Sequence, residues 1–167
     1  PAIVTAIPAV HGHTYLLDAG ANIDCKPLHL VQFAVMGEIY ARVARGVVSP
    51  RVGVLSNGEE DSKGTDVTRA AHEMLKRLPL RYVGYVEGRD LNNGKVDVVI
   101  TDGFTGNVAL KTMEGFAEFL QAQLRSVFTA RWQNKLAYLL IRRSFGNLRA
   151  TLDPSEVGGA PLLGTDG

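Results

Sequence analysis

The sequence predicts an α/β protein with a mostly parallel sheet, on three observations. Short β-branched runs alternate with longer stretches whose apolar residues recur at helical spacing. Four of the runs end in a polar or glycine-bearing corner, at residues 18–24, 56–64, 87–90 and 102–107. Right-handed crossovers would line those corners along one edge of the sheet. Finally, 167 residues, 46% of them hydrophobic and 21% charged, suffice for one domain with a real core.

In chain order, Ala2–Ala9 is apolar, with Pro8 inside it and Pro1 just before it, which suits an edge or connecting segment rather than a central strand. His11-Gly12-His13 reads as a turn into the short strand Tyr15–Leu17, and two histidines with no third ligand nearby make a poor metal site. Asp18 ends that strand. The corner after it offers Asn22 and Asp24, which serve turns as readily as sites. Cys25, the one cysteine, excludes an internal disulfide and reads as a passive thiol. Pro27 suits a first helical turn, and Leu30, Phe33, Ala34, Gly37 and Tyr40 recur helically, so Leu28–Ala44 reads as an amphipathic helix. Small Ala34 and Gly37 imply a close neighbour.

Arg51–Leu55 is the next strand, and the helix Thr65–Leu78 after it turns Val67, Ala70, Ala71, Met74 and Leu75 inward. Between them, the glycine-bounded loop Ser56–Gly64 sets Lys63 beside Glu59, Glu60 and Asp61. A lysine at the mouth of a βα unit neutralises phosphate as a compact point charge. The plain alternative is a solvated loop with surface ion pairs. Tyr82–Val86 is a fourth strand, and Val96, Val98, Val99 and Ile100 form a buried one. That run leads into Asp102–Lys111, where Gly103, Gly106 and Asn107 lie between the strand and a helix begun by Val108, Leu110, Met113 and Phe116. A helix start offers N–H groups and partial positive charge to an anion. Asn107 either caps that helix or turns its amide toward a substrate; a Gly-rich turn with an Asn cap is the plain alternative.

The net charge of +1 exerts no global pull on nucleic acid. Yet between Glu118 and Asp153 there is no acid, only Arg125, Arg131, Lys135, Arg142, Arg143 and Arg149. Within this 119–152 segment Trp132, Leu136, Leu139 and Leu140 share one helical face, with Ala137 and Ile141 beside it. A basic amphipathic helix of this kind suits an anionic membrane surface, a dimer contact or an acidic partner protein. No run reaches the ~18–20 apolar residues of a membrane span. The start at Pro1 has neither a methionine nor the form of a signal peptide. The expectation is a single α/β portion, residues 1–167, of a longer chain.

Several long motifs then occur together: Leu17-Asp-Ala-Gly-Ala-Asn22, Leu30-Val-Gln-Phe-Ala-Val-Met-Gly37, Gly58-Glu-Glu-Asp-Ser-Lys-Gly64, residues 102–115 from Asp102 to Gly115, and Gly158-Gly-Ala-Pro-Leu-Leu-Gly164. In this order, from Thr14 to Gly164, the chain resembles the PlsX-type phosphate acyltransferases. The resemblance implies a bacterial enzyme that moves a long acyl chain from acyl-acyl carrier protein to inorganic phosphate. Its acyl phosphate would feed a glycerol-3-phosphate acyltransferase in phospholipid synthesis. Also implied are a three-layer α/β/α sandwich related to phosphotransacetylases and isocitrate- or isopropylmalate-type dehydrogenases, a cytoplasmic homodimer held loosely at the inner membrane face, and no cofactor, metal or nucleic acid. Members run to roughly twice this length, one or two ordinary domains. On the matched motifs, Lys63 and Asn107 become the catalytic donors. Asp102, Gly103, Gly106, Asn22 and Glu59 become phosphate- or substrate-binding, while Trp132, Leu136, Ala137 and Leu140 meet a membrane or partner. Three rivals share this frame: a short-chain phosphotransacylase using acyl-coenzyme A, a metal-dependent dehydrogenase whose aspartate cluster and nicotinamide site are not visible, and a non-catalytic membrane or carrier-protein adaptor.

Overall fold

The β-branched run Val98–Ile100 becomes a fully buried strand with a neighbour on either side. In the computed structural model, which describes residues 1–134, 136–141, 146 and 160–165, the strands are β1 (Ala2–Pro8), β2 (His13–Leu17), β3 (Val52–Leu55), β4 (Tyr82–Val86), β5 (Val98–Ile100) and β6 (Leu162–Leu163). The helices are α1 (Pro27–Arg45), α2 (Asp66–Leu75), α3 (Asp90–Asn93) and α4 (Gly103–Thr129). The six strands form one sheet in the order β4-β3-β5-β2-β1-β6. Pairs β4–β3, β3–β5 and β5–β2 are parallel, whereas β1 runs antiparallel to both β2 and β6. The four parallel strands therefore release their corners on one edge, ordered 87–90, 56–64, 102–107 and 18–24 across the sheet.

Side chains alternate faces along each strand. One face holds Leu17, Val52, Val54, Val98 and Ile100 under Leu30, Phe33 and Ala34 of α1 and Ala71 and Leu75 of α2. The other holds Leu16, Val86 and Val99 with Ile7, Leu91 and Val96, covered by Ala109 and Met113 of α4. Full burial of a Leu or Ile contributes about 1.5–3 kcal/mol, so the first face dominates stability by number of residues. Gly37 makes its close approach possible, since a Cβ there would stand 2.6 Å from Val98 Cγ1 and 3.2 Å from Leu17 Cδ1. The small residues of α1 do have their close neighbour.

Two elements depart from the sequence reading. Residues 2–8 are a strand with neighbours on both sides, because Pro8 falls at its last position, opposite His13, and interrupts nothing. Helix α2 buries Thr68, Ala71, His72 and Leu75, while Ala70 and Met74 are exposed and Val67 only half-buried. Its inward face is rotated because two polar residues find partners inside. Thr68 Oγ1 accepts the Thr65 N–H at 2.8 Å in the helix cap, and His72 Nδ1 lies 2.7 Å from Tyr82 Oη.

Candidate active site

The best-built corner is the one after β2. The Asp18 side chain is fully buried, and its two carboxylate oxygens accept five hydrogen bonds. Oδ1 takes the N–H groups of Ile3, Gly20 and Ala21 at 3.0, 3.0 and 2.9 Å. Oδ2 takes the backbone N–H and the side-chain amide of Asn22, both at 2.7 Å. Burial alone would raise the Asp18 carboxyl, but the donors from Ala21, Asn22, Ile3 and Gly20 outweigh it and hold the group below the usual carboxylate range. The sequence pattern marks Asp18 only as the end of a strand. The signal for its role as organiser is a strand-terminal aspartate followed by small residues whose N–H groups can converge on it.

The adjacent corner, after β5, is stitched to the first. Asp102 is the N-cap of α4 and accepts the N–H and Oγ1–H of Thr105, each at 2.8 Å. The Gly103 N–H donates to Asn22 O at 2.7 Å, and Gly106 presses on the Asp18 carbonyl. A Cβ on Gly103 would fall 2.8 Å from both Asn22 N and Asn22 O. Asn107 stands beside Gly20 and is exposed, and nothing among the described residues accepts from or donates to its side chain. Asn107 therefore does not cap the helix, which already starts at Gly103 with Asp102 as its cap.

Beyond β3, across from the Asp102 corner, the loop 56–64 folds on itself. The Lys63 N–H donates to Glu60 O at 2.9 Å, the Gly64 N–H to Asn57 Oδ1 at 2.9 Å, and the Lys63 stem lies over Gly58. Despite three acidic neighbours in sequence, Lys63 pairs with no carboxylate among the described residues. Glu59 instead faces Arg89 and Lys95, each at 3.9 Å, and Asp61 faces His72.

The predicted residues thus fall into distinct groups. Asn22, Gly103, Gly106 and Asn107 meet at the junction of two corners, with Asp102 at its rim. Asn22 commits its amide to Asp18 Oδ2 and to Pro1 O, both at 2.7 Å, so it holds the loop in place. Lys63 stands on the next loop, and Glu59 turns toward the 87–95 side. Farther along, α4 buries only Gly103 and Gly106 and exposes Phe116 and Phe119. The backbone is helical again at 132–134 and 136–141, where Trp132 (68%), Leu136, Ala137 and Leu140 (86%) are exposed. Lys135, Arg142, Arg143 and Arg149 lie outside the described residues. No helix among the described residues is long and apolar enough to cross a membrane.

A mixed six-stranded sheet whose four parallel strands gather their polar corners on one edge defines an α/β protein. The chain is similar to a phosphotransacetylase from Streptococcus pyogenes, with TM-score 0.56 and 17% identity over 70% of this chain and 42% of that one. It is also similar to a branched-chain phosphotransacylase from Enterococcus faecalis, with TM-score 0.53 and 14% identity over 68% and 50%. In sequence, the chain belongs to the fatty acid synthesis protein family, whose model matches residues 1–167. It is 54% identical over 166 residues to a phosphate acyltransferase of Citrifermentans bemidjiense, and 56% identical over 167 residues to one of Geotalea uraniireducens. Those alignments take in 99% and 100% of this chain but 47% and 48% of the relatives, so the chain spans about half the length of the curated relatives it matches.

Proposed function

We propose that this chain is the phosphate-handling portion of an acyltransferase that moves a long-chain acyl group from acyl-acyl carrier protein to inorganic phosphate. The observation that carries this reading is the pair of uncommitted donors, Lys63 and Asn107, on neighbouring corners of a chain whose close relatives are named phosphate acyltransferases. Lys63 neutralises phosphate charge, and Asn107 hydrogen-bonds the phosphate or the carbonyl oxygen. Asp102, Asn22, Gly103 and Gly106 shape the corner and position Asn107, while Glu59 helps to order the loop that bears Lys63.

The chemistry asked of the site is modest. An oxygen of hydrogen phosphate attacks the thioester carbonyl carbon, a C–O bond forms, and the C–S bond breaks with its electron pair on sulfur. The proton of the phosphate passes to the departing thiolate. Charge develops on the carbonyl oxygen meanwhile, and fixed donors aimed there supply the largest share of the rate. No acyl-enzyme is required. Burial, with Asp102 and Asp18 nearby, raises the Cys25 thiol, and its Sγ–H points at Asn22 O, 3.7 Å away.

In the same reading the chain is one α/β portion of a three-layer, dehydrogenase-related sandwich. The protein is a cytoplasmic homodimer. The exposed residues of α4 and the basic 119–152 segment serve pairing and peripheral attachment at the inner membrane, where the acyl phosphate passes to a glycerol-3-phosphate acyltransferase.

The test gives the full-length protein phosphate with either palmitoyl-acyl carrier protein or short-chain acyl-coenzyme A, and traps acyl phosphate as hydroxamate. Product mainly from the carrier-protein donor is expected. Product from short-chain coenzyme A alone would move the protein to the activity named for its structural neighbours, and none from either would leave an adaptor.

A further inference from the structure

Helix α2 buries a histidine to which the reaction above gives no part. The His72 ring is stacked on Tyr85 at a centroid distance of 4.4 Å and meets the edge of Tyr82 at 5.5 Å. Its Nδ1 lies 2.7 Å from Tyr82 Oη. Burial, then the nearby Tyr85, Glu73 and Asp61, push the Tyr82 phenol far up, so it keeps its proton. The tautomer that serves both ring nitrogens has Tyr82 Oη donating to Nδ1 and the ring proton on Nε2, toward the carboxylates of Asp61 and Glu73.

Nε2 is buried and has no hydrogen-bond partner among the described residues. Two carboxylates face it, Asp61 Oδ1 at 3.5 Å and Glu73 Oε1 at 4.0 Å. Glu73 is already bonded to Lys76 Nζ at 2.9 Å, which leaves Asp61 as the available acceptor. A separation of 3.5 Å exceeds an ordinary N–H···O bond by several tenths of an ångström. The ring is fixed by its two tyrosines, whereas Asp61 is exposed, so the carboxylate is the partner that moves.

Asp61 occupies the second position of the turn Glu60–Lys63, which the Lys63 N–H closes onto Glu60 O. We propose that His72 is a positioning residue: its Nε2–H draws in Asp61, fixes the Glu60–Lys63 turn, and so holds the Lys63 ammonium where phosphate binds. This inference rests on the reading of Lys63 as a phosphate ligand. A histidine kept only for packing would be replaceable by phenylalanine, which stacks on Tyr85 equally well.

The experiment varies phosphate in the hydroxamate assay with the full-length protein and its Asp61→Ala, His72→Phe and doubly substituted forms. Asp61→Ala changes an exposed side chain and leaves the fold intact even if His72→Phe does not fold. Each single change is expected to raise KM for phosphate about three- to tenfold, the weight of one hydrogen bond, with kcat altered less than about twofold, and the double change to do no more than either single. Unchanged KM in Asp61→Ala, or effects that multiply in the double variant, would overturn the proposal. Lys63→Ala separates the two levels of argument. Normal turnover in that variant would remove the phosphate role and this inference with it. Lost turnover in Lys63→Ala with unchanged KM in Asp61→Ala would remove this inference alone.

Discussion

The carbonyl oxygen of Asp18 occupies the space that a Cβ on Gly106 would need. Because both partners are backbone, no side-chain rotation relieves the conflict. Gly106→Ala is therefore expected to cost about 3 kcal/mol or more by prising α4 from the 18–22 loop. Gly115, in the same helix, has open space within 4 Å of where an added methyl group would sit. There, Gly115→Ala should stabilise by about 0.5–1 kcal/mol through helix propensity alone. Urea unfolding of the two variants reads out these opposite signs, and similar effects would mean that the close approach is not what matters.

The Asp18 hub makes stability sensitive to acid. Asp18, Asp90 and Asp97 all sit below the ordinary carboxylate range: burial opposes this in each, and hydrogen bonds override it. Their stabilisation is complete above the unfolded value of about 3.9 and is lost as pH falls through their native values. The urea midpoint should be flat from about pH 5 to 7 and fall steeply below about pH 4. Asp18→Asn should cost about 2–4 kcal/mol at pH 7 and show a shallower acid loss, since one of the depressed groups is gone. An acid limb as steep as in the parent would shift the effect to Asp90 and Asp97.

What can be read from the chain, and what cannot, follows from where polar side chains are spent. The β-branched run Val98–Ile100 and the helical spacing of Leu30, Phe33, Ala34 and Gly37 survive in the fold, because apolar burial is what a pattern reports. The alternation of strands and helices also places four corners on one edge. The pattern misreads the face of α2 because Thr68 and His72 are buried, and it counts both as outward. Only a partner brought by the fold, Tyr82 from β4, reveals why His72 is inside. The start of α4 is displaced for a related reason. Gly103 and Gly106 look like loop residues, yet their missing side chains let helix and loop touch.

Lys63 and Asn107 supply the sharpest test of the site. Neither supports the fold: Lys63 has no carboxylate partner and Asn107 no hydrogen-bond partner among the described residues, so their removal should leave the unfolding midpoint unchanged. In the full-length protein, Lys63→Ala and Asn107→Ala are each expected to lower turnover about 10²–10³-fold, the usual effect of deleting one donor to developing charge. Circular dichroism and the hydroxamate assay on the same preparations separate a site effect from a folding effect. Near-parental turnover in either variant would take that residue out of the chemistry.

Beyond the end of α4, most of residues 130–134 and 136–141 are exposed. Phe128 and Tyr138 approach at 5.3 Å, and Asn134 Nδ2 donates to Val127 O at 2.7 Å, so the second helical stretch folds back on the end of the first. Even so, Trp132, Leu136 and Leu140 are exposed and belong to neither core cluster. Apolar side chains next to a run of arginines bind an anionic surface by two additive effects, buried area and charge. Trp132→Glu with Leu136→Glu opposes both at once and should weaken binding to vesicles containing anionic lipid by about tenfold or more, with the unfolding midpoint unchanged. Sedimentation with neutral vesicles is the control, where the parent itself should bind weakly. If the variant binds anionic vesicles like the parent but dissociates into monomers on a sizing column, the face is a contact between two copies instead, and the arginines serve some other surface.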